Sequence, residues 1–220
     1  MGSEMCIRDR HAGIAVPLIQ DNIDTDQIIP SREMKRVSKH GLAEGLFAGQ
    51  RYLYDGNTRT GVNQTFPLNS PDYRSATILL SGSNFGCGSS REHAVWALRE
   101  YGFVAVIAES FGEIFRNNAL RNGLLPIQLS AMEIAQLNAA TSQKPAATKI
   151  LIDLQTCEVS AHNQPALRFT LENYYREMLL NGWDFIDLAE RNSAGLDQFI
   201  INDSKARPWA HLQDASKHQT

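Results

Sequence analysis

The sequence predicts an α/β protein with a parallel sheet at its centre, and three observations support this fold class. Three apolar runs of strand length lie in the middle of the chain, at 76–80, 103–108 and 124–129. Each is followed by a segment whose apolar residues have helical spacing, at 89–101, 111–121 and 132–139. Gly102 and Gly123 end the first two helical segments, where glycine is a common stop. Strands and helices that alternate at this spacing are typical of a parallel sheet.

The segments before this core are predicted to be mostly turns and loops. A short apolar stretch at 16–19 is predicted to be a strand. The segment 21–30 that follows begins with Asp and Asn, whose side chains bond to nearby backbone and favour turns. Segment 31–49 is basic, interrupted by glycine and only partly helical in pattern, and the polar segment 55–69 is predicted to be a long loop.

The C-terminal part of the chain has a different pattern. Strands are predicted at 150–152 and 166–170 around a turn at 162–165, and helices at 171–180 and 185–191. The resulting division of the chain is a single domain over residues 11–203. The charged, aperiodic residues 1–10 are interpreted as a tail or a sequence artefact, and the polar residues 204–220 as a C-terminal tail.

Composition and charge exclude several functional classes. The 220 residues are 43% hydrophobic and 20% charged, which is typical of a globular protein with one substantial core. A net charge of −3 does not favour nucleic-acid binding through charge. No apolar run approaches the roughly 20 residues of a membrane span, and the N-terminus lacks the apolar stretch of a signal peptide. We therefore expect a cytoplasmic protein that binds neither nucleic acid nor membrane.

The cysteines favour free thiols rather than a cofactor site. Cys6, Cys87 and Cys157 are odd in number, far apart and without Cys-x-x-Cys spacing, a pattern that indicates a reducing compartment. Iron–sulfur clusters usually need three or four thiolates. We therefore expect this chain to bind no metal or cofactor by itself.

The strongest candidate site is the glycine-rich loop before the first helix of the core. Gly86 and Gly88 allow a ligand to approach the backbone closely, and the start of the following helix attracts anions. Arg91 adds a planar guanidinium that suits a carboxylate. With the hydroxyl groups of Ser89 and Ser90, these residues predict an anion-binding corner.

The same loop also has a purely structural interpretation. Ser89 and Glu92 have the spacing of a capping box, in which each side chain bonds to the other's backbone. Phosphate binding is less favoured, because the loop lacks the Walker and dinucleotide-binding patterns. His93 is interpreted as a packed side chain, since no second His or Cys lies at metal-ligand spacing. Cys87 is a candidate reactive thiol if the loop is electropositive.

The acidic segment that begins at Asp21 is a second candidate, with turn capping as its favoured interpretation. A calcium loop of the EF-hand type requires glycine at its sixth position and glutamate at its twelfth. Counted from Asp21, these positions hold Asp26 and Arg32, so the pattern fails.

Three blocks of sequence, in this order, resemble the small-subunit family of 3-isopropylmalate dehydratase within the aconitase superfamily. They are Asn22-Ile23-Asp24-Thr25-Asp26-Gln27-Ile28-Ile29-Pro30, then Gly82-Ser83-Asn84-Phe85-Gly86-Cys87-Gly88-Ser89-Ser90-Arg91-Glu92-His93-Ala94, then Phe115-Arg116-Asn117-Asn118-Ala119-Leu120-Arg121-Asn122-Gly123-Leu124-Leu125-Pro126. The resemblance extends from about Gly13 to about Ile201. It implies an aconitase-type swivelling domain with a three-layer β/β/α arrangement.

The resemblance implies a hydro-lyase that is active only with a large subunit. The reaction would isomerise 2-isopropylmalate and 3-isopropylmalate by dehydration and rehydration in leucine biosynthesis. The partner would carry a [4Fe–4S] cluster, and the substrate would be a small hydroxy-dicarboxylate. Alternatives in the same class are small subunits of citramalate- or homoaconitate-type hydro-lyases. Alternatives outside it are a stand-alone phosphate-binding α/β module and a subunit that serves assembly only.

Position by position, the resemblance assigns roles to the candidate site. Ser89 corresponds to the serine that takes a proton from carbon, Ser90 to a substrate or loop contact, and Arg91 to the carboxylate clamp. Asp26 is expected to position the loop that carries Ser89 and Ser90, which we call the serine loop. Under this interpretation Ser90 lies nearer the helix cap, and Ser89 is free for chemistry.

The resemblance also implies roles for backbone positions near the site. Gly86 and Gly88 are expected to position the loop that carries the serine. Segment 31–47 is expected to be a specificity loop that is mobile in the free chain and closes over substrate.

Overall fold

The computed structural model describes residues 9–34, 41–142, 145, 147–161, 164–183, 187 and 193–210. The chain forms two compact units, Met1–Gly182 and Trp183–Thr220. The single domain over 11–203 and the two tails that flank it stay predictions. Strand β1 begins at Arg10, the last residue of the expected N-terminal tail, and Arg10 Nε donates to Asp153 Oδ2 at 2.6 Å.

The described residues of the first unit contain nine strands. They are β1 (Arg10–Leu18), β2 (Tyr52–Asp55), β3 (Thr58–Val62), β4 (Ala76–Ser81), β5 (Ala105–Ala108), β6 (Leu125–Gln128), β7 (Lys149–Asp153), β8 (Glu158–Ala161) and β9 (Leu167–Arg168). Seven of them form one sheet in the order β6-β5-β4-β1-β7-β8-β9, and β2 pairs with β3.

The helices described in the first unit are α1 (Thr25–Ile28), α2 (Ala48–Arg51), α3 (Glu92–Tyr101), α4 (Glu113–Arg121), α5 (Ala131–Ser142) and α6 (Asn173–Asn181). The second unit contains α7 (Ser193–Ala206). Short 3₁₀ turns lie at Ser31–Met34, Ala43–Gly45, Pro67–Asn69, Pro71–Tyr73 and Pro208–Ala210. Within the described residues, no helix is both long and apolar enough to cross a membrane.

The predicted parallel core is confirmed, and it places several loops at one edge of the sheet. Strands β6, β5, β4 and β1 run parallel, whereas β7, β8 and β9 extend the sheet with antiparallel pairs. Because β1, β4 and β5 are adjacent and parallel, their carboxyl ends lie side by side. Ligands of open α/β sheets commonly bind at this edge.

Both faces of the parallel part of the sheet are buried, which explains why strands such as β4 and β5 are apolar runs rather than alternating patterns. Leu79 and Val106 belong to one apolar cluster, which α3 and α4 cover. Ile78 and Ile107, the neighbours of these residues on the same strands, belong to a second cluster with residues of α5 and α6. The α/β class is therefore confirmed by the packing.

The prediction of a loop over residues 55–69 is wrong in its first half, where β2 and β3 form a hairpin. Only Gly56 and Asn57 separate the two strands, and Gly56 has a φ of +57°. A two-residue loop that begins with glycine is a common hairpin turn, because glycine adopts positive φ without strain. The polar composition of the segment concealed this signal.

The last part of segment 31–47 is bonded to α3 and packed in the core. Three successive N–H groups, from Gly41 to Ala43, donate to the carboxylate of Glu100 at 2.5–2.9 Å. Phe47 is fully buried. Residues 35–40 lie outside the described part of the chain, and the mobility of the segment and its closure over substrate stay predictions.

The C-terminal predictions have mixed outcomes. The helix over 171–180 is confirmed as α6, while that over 185–191 lies outside the described residues except for Asp187. Helix α7 was not predicted, and it extends to Ala206, two residues beyond the expected start of the polar tail.

Candidate active site

The glycine-rich loop after β4 is joined to the segment after β1 at the carboxyl edge of the sheet. Gly86 N donates to Ile23 O at 2.7 Å, and Thr25 N donates to Cys87 O at 2.9 Å. These bonds follow from the parallel pairing of β1 with β4, which delivers both loops to one place. The start of α1 and the serine loop therefore form one hydrogen-bonded structure.

The acidic segment after β1 performs turn and helix capping, as predicted. Asp24 is the N-cap of α1, where Gln27 N donates to Asp24 Oδ1 at 2.7 Å and Asp24 N donates to Gln27 Oε1 at 3.1 Å. Asp21 Oδ1 accepts a bond from Ser83 N at 2.7 Å. The carboxylates of Asp21 and Asp24 thus fix the junction between the loops.

The two glycines of the serine loop are constrained to different degrees. Gly86 has a φ of +75°, and a Cβ at this position would lie 2.6 Å from Phe115 Cβ. The Phe115 ring packs edge-on against Phe85, with centroids 5.2 Å apart. Gly88 has a φ of +95°, but a Cβ there would meet nothing closer than 3.6 Å. At position 86, both the positive φ and the contact with Phe115 favour glycine. At position 88, only the positive φ does.

The capping-box interpretation of the serine loop is wrong, whereas Ser90 does lie nearer the cap than Ser89, because it directly precedes the N-cap residue. Helix α3 begins at Glu92, and its N-cap is Arg91. Arg91 N donates to Ser89 O at 2.8 Å, which turns the chain before the helix begins. The carboxylate of Glu92 accepts a bond from Asn122 Nδ2 at 2.9 Å instead of closing a box with Ser89.

The side chain of Ser89 meets Thr25, a residue that sequence reasoning did not select. Their Oγ atoms are 3.3 Å apart, and Thr25 Oγ1 donates to Ser89 O at 3.2 Å. Ser89 is exposed, whereas Thr25 is only 2% exposed. The one signal for Thr25 in the sequence was its place between Asp24 and Asp26 in the first block of the resemblance.

Arg91 and Asp26 form an ion pair at the mouth of the site. Arg91 Nη1 contacts Asp26 Oδ1, and Ser31 Oγ donates to the same oxygen at 3.0 Å. The hydrogen bond from Arg91 lowers the pKa of Asp26 below its ordinary value; desolvation opposes this effect, and the bond from Ser31 adds to it. Asp26 is therefore ionised at neutral pH and holds the guanidinium of Arg91 in place.

The structure brings the predicted site residues together. Asp26, Ser89 and Arg91 are linked through direct contacts with each other or with Thr25. Ser90, which lies between Ser89 and Arg91 in the sequence, is exposed. This is a polar corner, open to solvent, in which an arginine–aspartate ion pair and an exposed serine hydroxyl belong to one loop junction.

The remaining candidates have simpler surroundings. The His93 ring packs on Trp96, with centroids 4.8 Å apart, and Cys87 is a partly exposed free thiol. In the part of the chain that the structure describes, no group of three His, Cys, Asp or Glu could hold a metal ion. These residues do not fit an iron–sulfur cluster, and the expectation that the chain binds no cofactor stays a prediction.

Comparisons with known proteins place this fold and site in a family. Residues 7–132 match the family of aconitase C-terminal domains. The 3-isopropylmalate dehydratase small subunit of Cupriavidus necator is 51% identical over 202 residues, covering 92% of this chain and 96% of that protein. The subunit of the same name from Rhizobium rhizogenes is 43% identical over 198 residues, covering 90% and 96%.

A solved structure gives the same result at the level of the fold. The crystal structure of 3-isopropylmalate dehydratase from Methanocaldococcus jannaschii aligns with a TM-score of 0.59 and 26% identity, covering 86% of this chain and 98% of that chain. These matches confirm the aconitase-type fold class that the resemblance implied. Because these relatives are 51% and 43% identical over at least 90% of this chain, the chain belongs to the small-subunit family of 3-isopropylmalate dehydratase.

Proposed function

We propose that this chain is the small subunit of a 3-isopropylmalate dehydratase, a hydro-lyase that interconverts 2-isopropylmalate and 3-isopropylmalate in leucine biosynthesis. The observation that carries the proposal is the exposed Ser89 hydroxyl in the loop that also carries Arg91 of the Arg91–Asp26 pair, in a chain of this family. In this proposal the partner is the large subunit, which holds the iron–sulfur cluster. The residues described here supply the proton transfer and one carboxylate contact.

Ser89 is the group that moves the proton. Its alkoxide takes a proton from a substrate carbon, so the C–H bond breaks and an O–H bond forms at Ser89 Oγ. The freed electron pair becomes the carbon–carbon double bond, and the hydroxyl on the adjacent carbon leaves with its bonding electrons. The cluster of the large subunit would supply the Lewis acid that accepts this hydroxide. In the rehydration direction Ser89 returns the proton to carbon.

A serine alkoxide requires strong stabilisation, since an alcohol is a weak acid. Arg91, two positions after Ser89, brings a positive charge to the same loop, and the amides at the start of α3 add a field of the same sign. Positive charge that is already in position stabilises an alkoxide without reorganisation during the reaction. Ser89 is therefore the hydroxyl of this loop that is best placed to act as a base.

Arg91 is the substrate carboxylate clamp. A guanidinium has five N–H donors, so a contact between Nη1 and Asp26 leaves others for a carboxylate of the substrate. Asp26 acts through Arg91, because it fixes the plane in which these donors lie. Ser90, exposed beside them in the chain, is a second substrate contact in this proposal.

Reconstitution tests the proposed function. Purified alone, the chain should show no isomerase activity, because in this proposal the site is completed by the large subunit. Mixed anaerobically with its large subunit, it should convert 2-isopropylmalate to 3-isopropylmalate. Turnover by the isolated chain, or a mixture that prefers citramalate or a homoaconitate-type acid, would contradict this assignment.

A lysine at position 91 should weaken substrate binding more than folding. Arg91→Lys keeps the charge and loses the two-pronged contact, so KM should rise by about 10- to 100-fold, the equivalent of about 1.5–3 kcal/mol for a charged hydrogen bond. Steady-state kinetics of the reconstituted enzyme measures this change. Arg168→Lys is a matched control, since Arg168 forms an exposed pair with Glu158 on β8 and β9. Equal KM values for the two variants would contradict the proposed contact between Arg91 and the substrate.

A further inference from the structure

We propose that Thr25 is a positioning residue for Ser89, whose hydroxyl changes its hydrogen-bond acceptor as Ser89 gains and loses a proton. The inference rests on the proposed role of Ser89 and adds a residue to it. Three features of the structure support it: the rigidity of Thr25, the count of protons between the two hydroxyls, and a second donor to the Ser89 carbonyl.

Thr25 is held in place on all sides. Its backbone N–H donates to Cys87 O at 2.9 Å, and its own carbonyl accepts the N–H of Ile29 at 3.0 Å in the first turn of α1. The residue is only 2% exposed. Its hydroxyl is therefore a fixed reference point beneath the exposed serine.

The hydrogen-bond count orients the hydroxyl of Ser89. Thr25 Oγ1 carries one proton, which it donates to Ser89 O at 3.2 Å. The contact at 3.3 Å between the two hydroxyl oxygens allows either one to donate. While the Thr25 proton is on Ser89 O, we assign Ser89 Oγ as the donor and Thr25 Oγ1 as the acceptor. In the protonated state, the proton of Ser89 is thus directed toward Thr25.

The same contacts change roles when Ser89 is an alkoxide. Ser89 Oγ then has no proton to donate, and its negative charge is a better acceptor than a carbonyl. The Thr25 proton can rotate from Ser89 O to Ser89 Oγ, because that carbonyl keeps the bond from Arg91 N at 2.8 Å. No proton leaves Thr25 in this exchange, so it serves as a fixed donor to the base.

Removal of the Thr25 hydroxyl should lower kcat with little change in KM. In the reconstituted enzyme, we expect Thr25→Val, which keeps the shape of the side chain, to lower kcat by about 10²-fold, as loss of one donor to a developing oxyanion does. Thr25→Ser restores the hydroxyl and should recover kcat to within a few-fold of wild type. Equal kcat values for Thr25→Val and wild type would overturn the proposal.

Thr141→Val is the matched control for loss of a buried threonine hydroxyl. Thr141 is also 2% exposed, and its Oγ1 donates to Leu137 O at 3.0 Å within α5. This variant should keep the wild-type kcat. If Thr25→Val does not form the complex, Thr25→Ala provides the same comparison without the branched side chain.

A double-mutant cycle separates this proposal from the proposed function. If Thr25 acts through Ser89, adding Thr25→Val to Ser89→Ala should cause no further loss of kcat. Losses that simply add would show a structural role for Thr25 and would overturn the proposal. Wild-type activity of Ser89→Ala would instead reject the role of Ser89, whereas an inactive Ser89→Ala with a fully active Thr25→Val would reject only the role of Thr25.

Discussion

Replacing Ser89 with alanine should lower the kcat of the reconstituted enzyme by about 10²–10⁴-fold. This loss equals roughly 3–5 kcal/mol of activation barrier, at about 1.36 kcal/mol for each tenfold change. The side chain of Ser89 is exposed, and Arg91 occupies the N-cap of α3. The variant should therefore fold, bind the large subunit and unfold close to the wild-type denaturant concentration.

Ser130→Ala is the control with the opposite pattern. Ser130 and Glu133 form a capping pair at the start of α5, with Ser130 N donating to Glu133 Oε2 at 2.8 Å. Loss of this cap should cost about 0.5–2 kcal/mol of stability and leave kcat unchanged. If Ser89→Ala forms the complex and keeps more than about a tenth of the wild-type kcat, well short of the loss expected for a proton-transfer group, Ser89 is not the base.

The centre of the fold was predictable because burial on both sides of the sheet leaves a strong pattern. Strands such as β4 and β5 are continuous apolar runs, and the helices between them have one apolar face. The hairpin of β2 and β3 was missed because its residues are mostly exposed or half-buried and polar. An exposed hairpin is defined by its turn residues, and a single glycine such as Gly56 in a polar segment is equally typical of a loop.

The start of α3 was mispredicted because spacing cannot show a distant hydrogen-bond partner. Ser89 and Glu92 have capping-box spacing, but Asn122 binds the carboxylate of Glu92, and Thr25 contacts the hydroxyl of Ser89. Both partners are far away in sequence and are delivered by the sheet. Local propensity was outweighed by tertiary contacts that a capping pattern does not encode.

The composition of the candidate site was predictable, but its contacts were not. The family resemblance selected Asp26 and Arg91 separately, on two blocks of sequence. Their ion pair exists because β1 and β4 are parallel neighbours, although β2 and β3 separate them in the chain. Thr25 could be recognised only once this pairing placed its hydroxyl beneath Ser89.

Alanine at position 86 should cause the largest loss of stability among the small substitutions in the serine loop. A left-handed backbone costs a non-glycine residue roughly 1–2 kcal/mol. The added methyl group would also overlap Phe115, which is buried against Phe85, and overpacking a core costs about 1–3 kcal/mol. The free energy of unfolding of Gly86→Ala should therefore fall by roughly 2–5 kcal/mol in urea denaturation.

Gly88→Ala isolates the backbone part of this effect. Gly88 has a φ of +95°, but an added Cβ would be at least 3.6 Å from its neighbours. The free energy of unfolding of Gly88→Ala should therefore fall by only roughly 1–2 kcal/mol. Phe115→Ala removes the ring atoms that the new methyl group would overlap, so it should cost less stability in Gly86→Ala than in the wild type. Equal losses for the two glycine variants, or equal costs of Phe115→Ala in both backgrounds, would show that the Phe115 ring does not fix the serine loop.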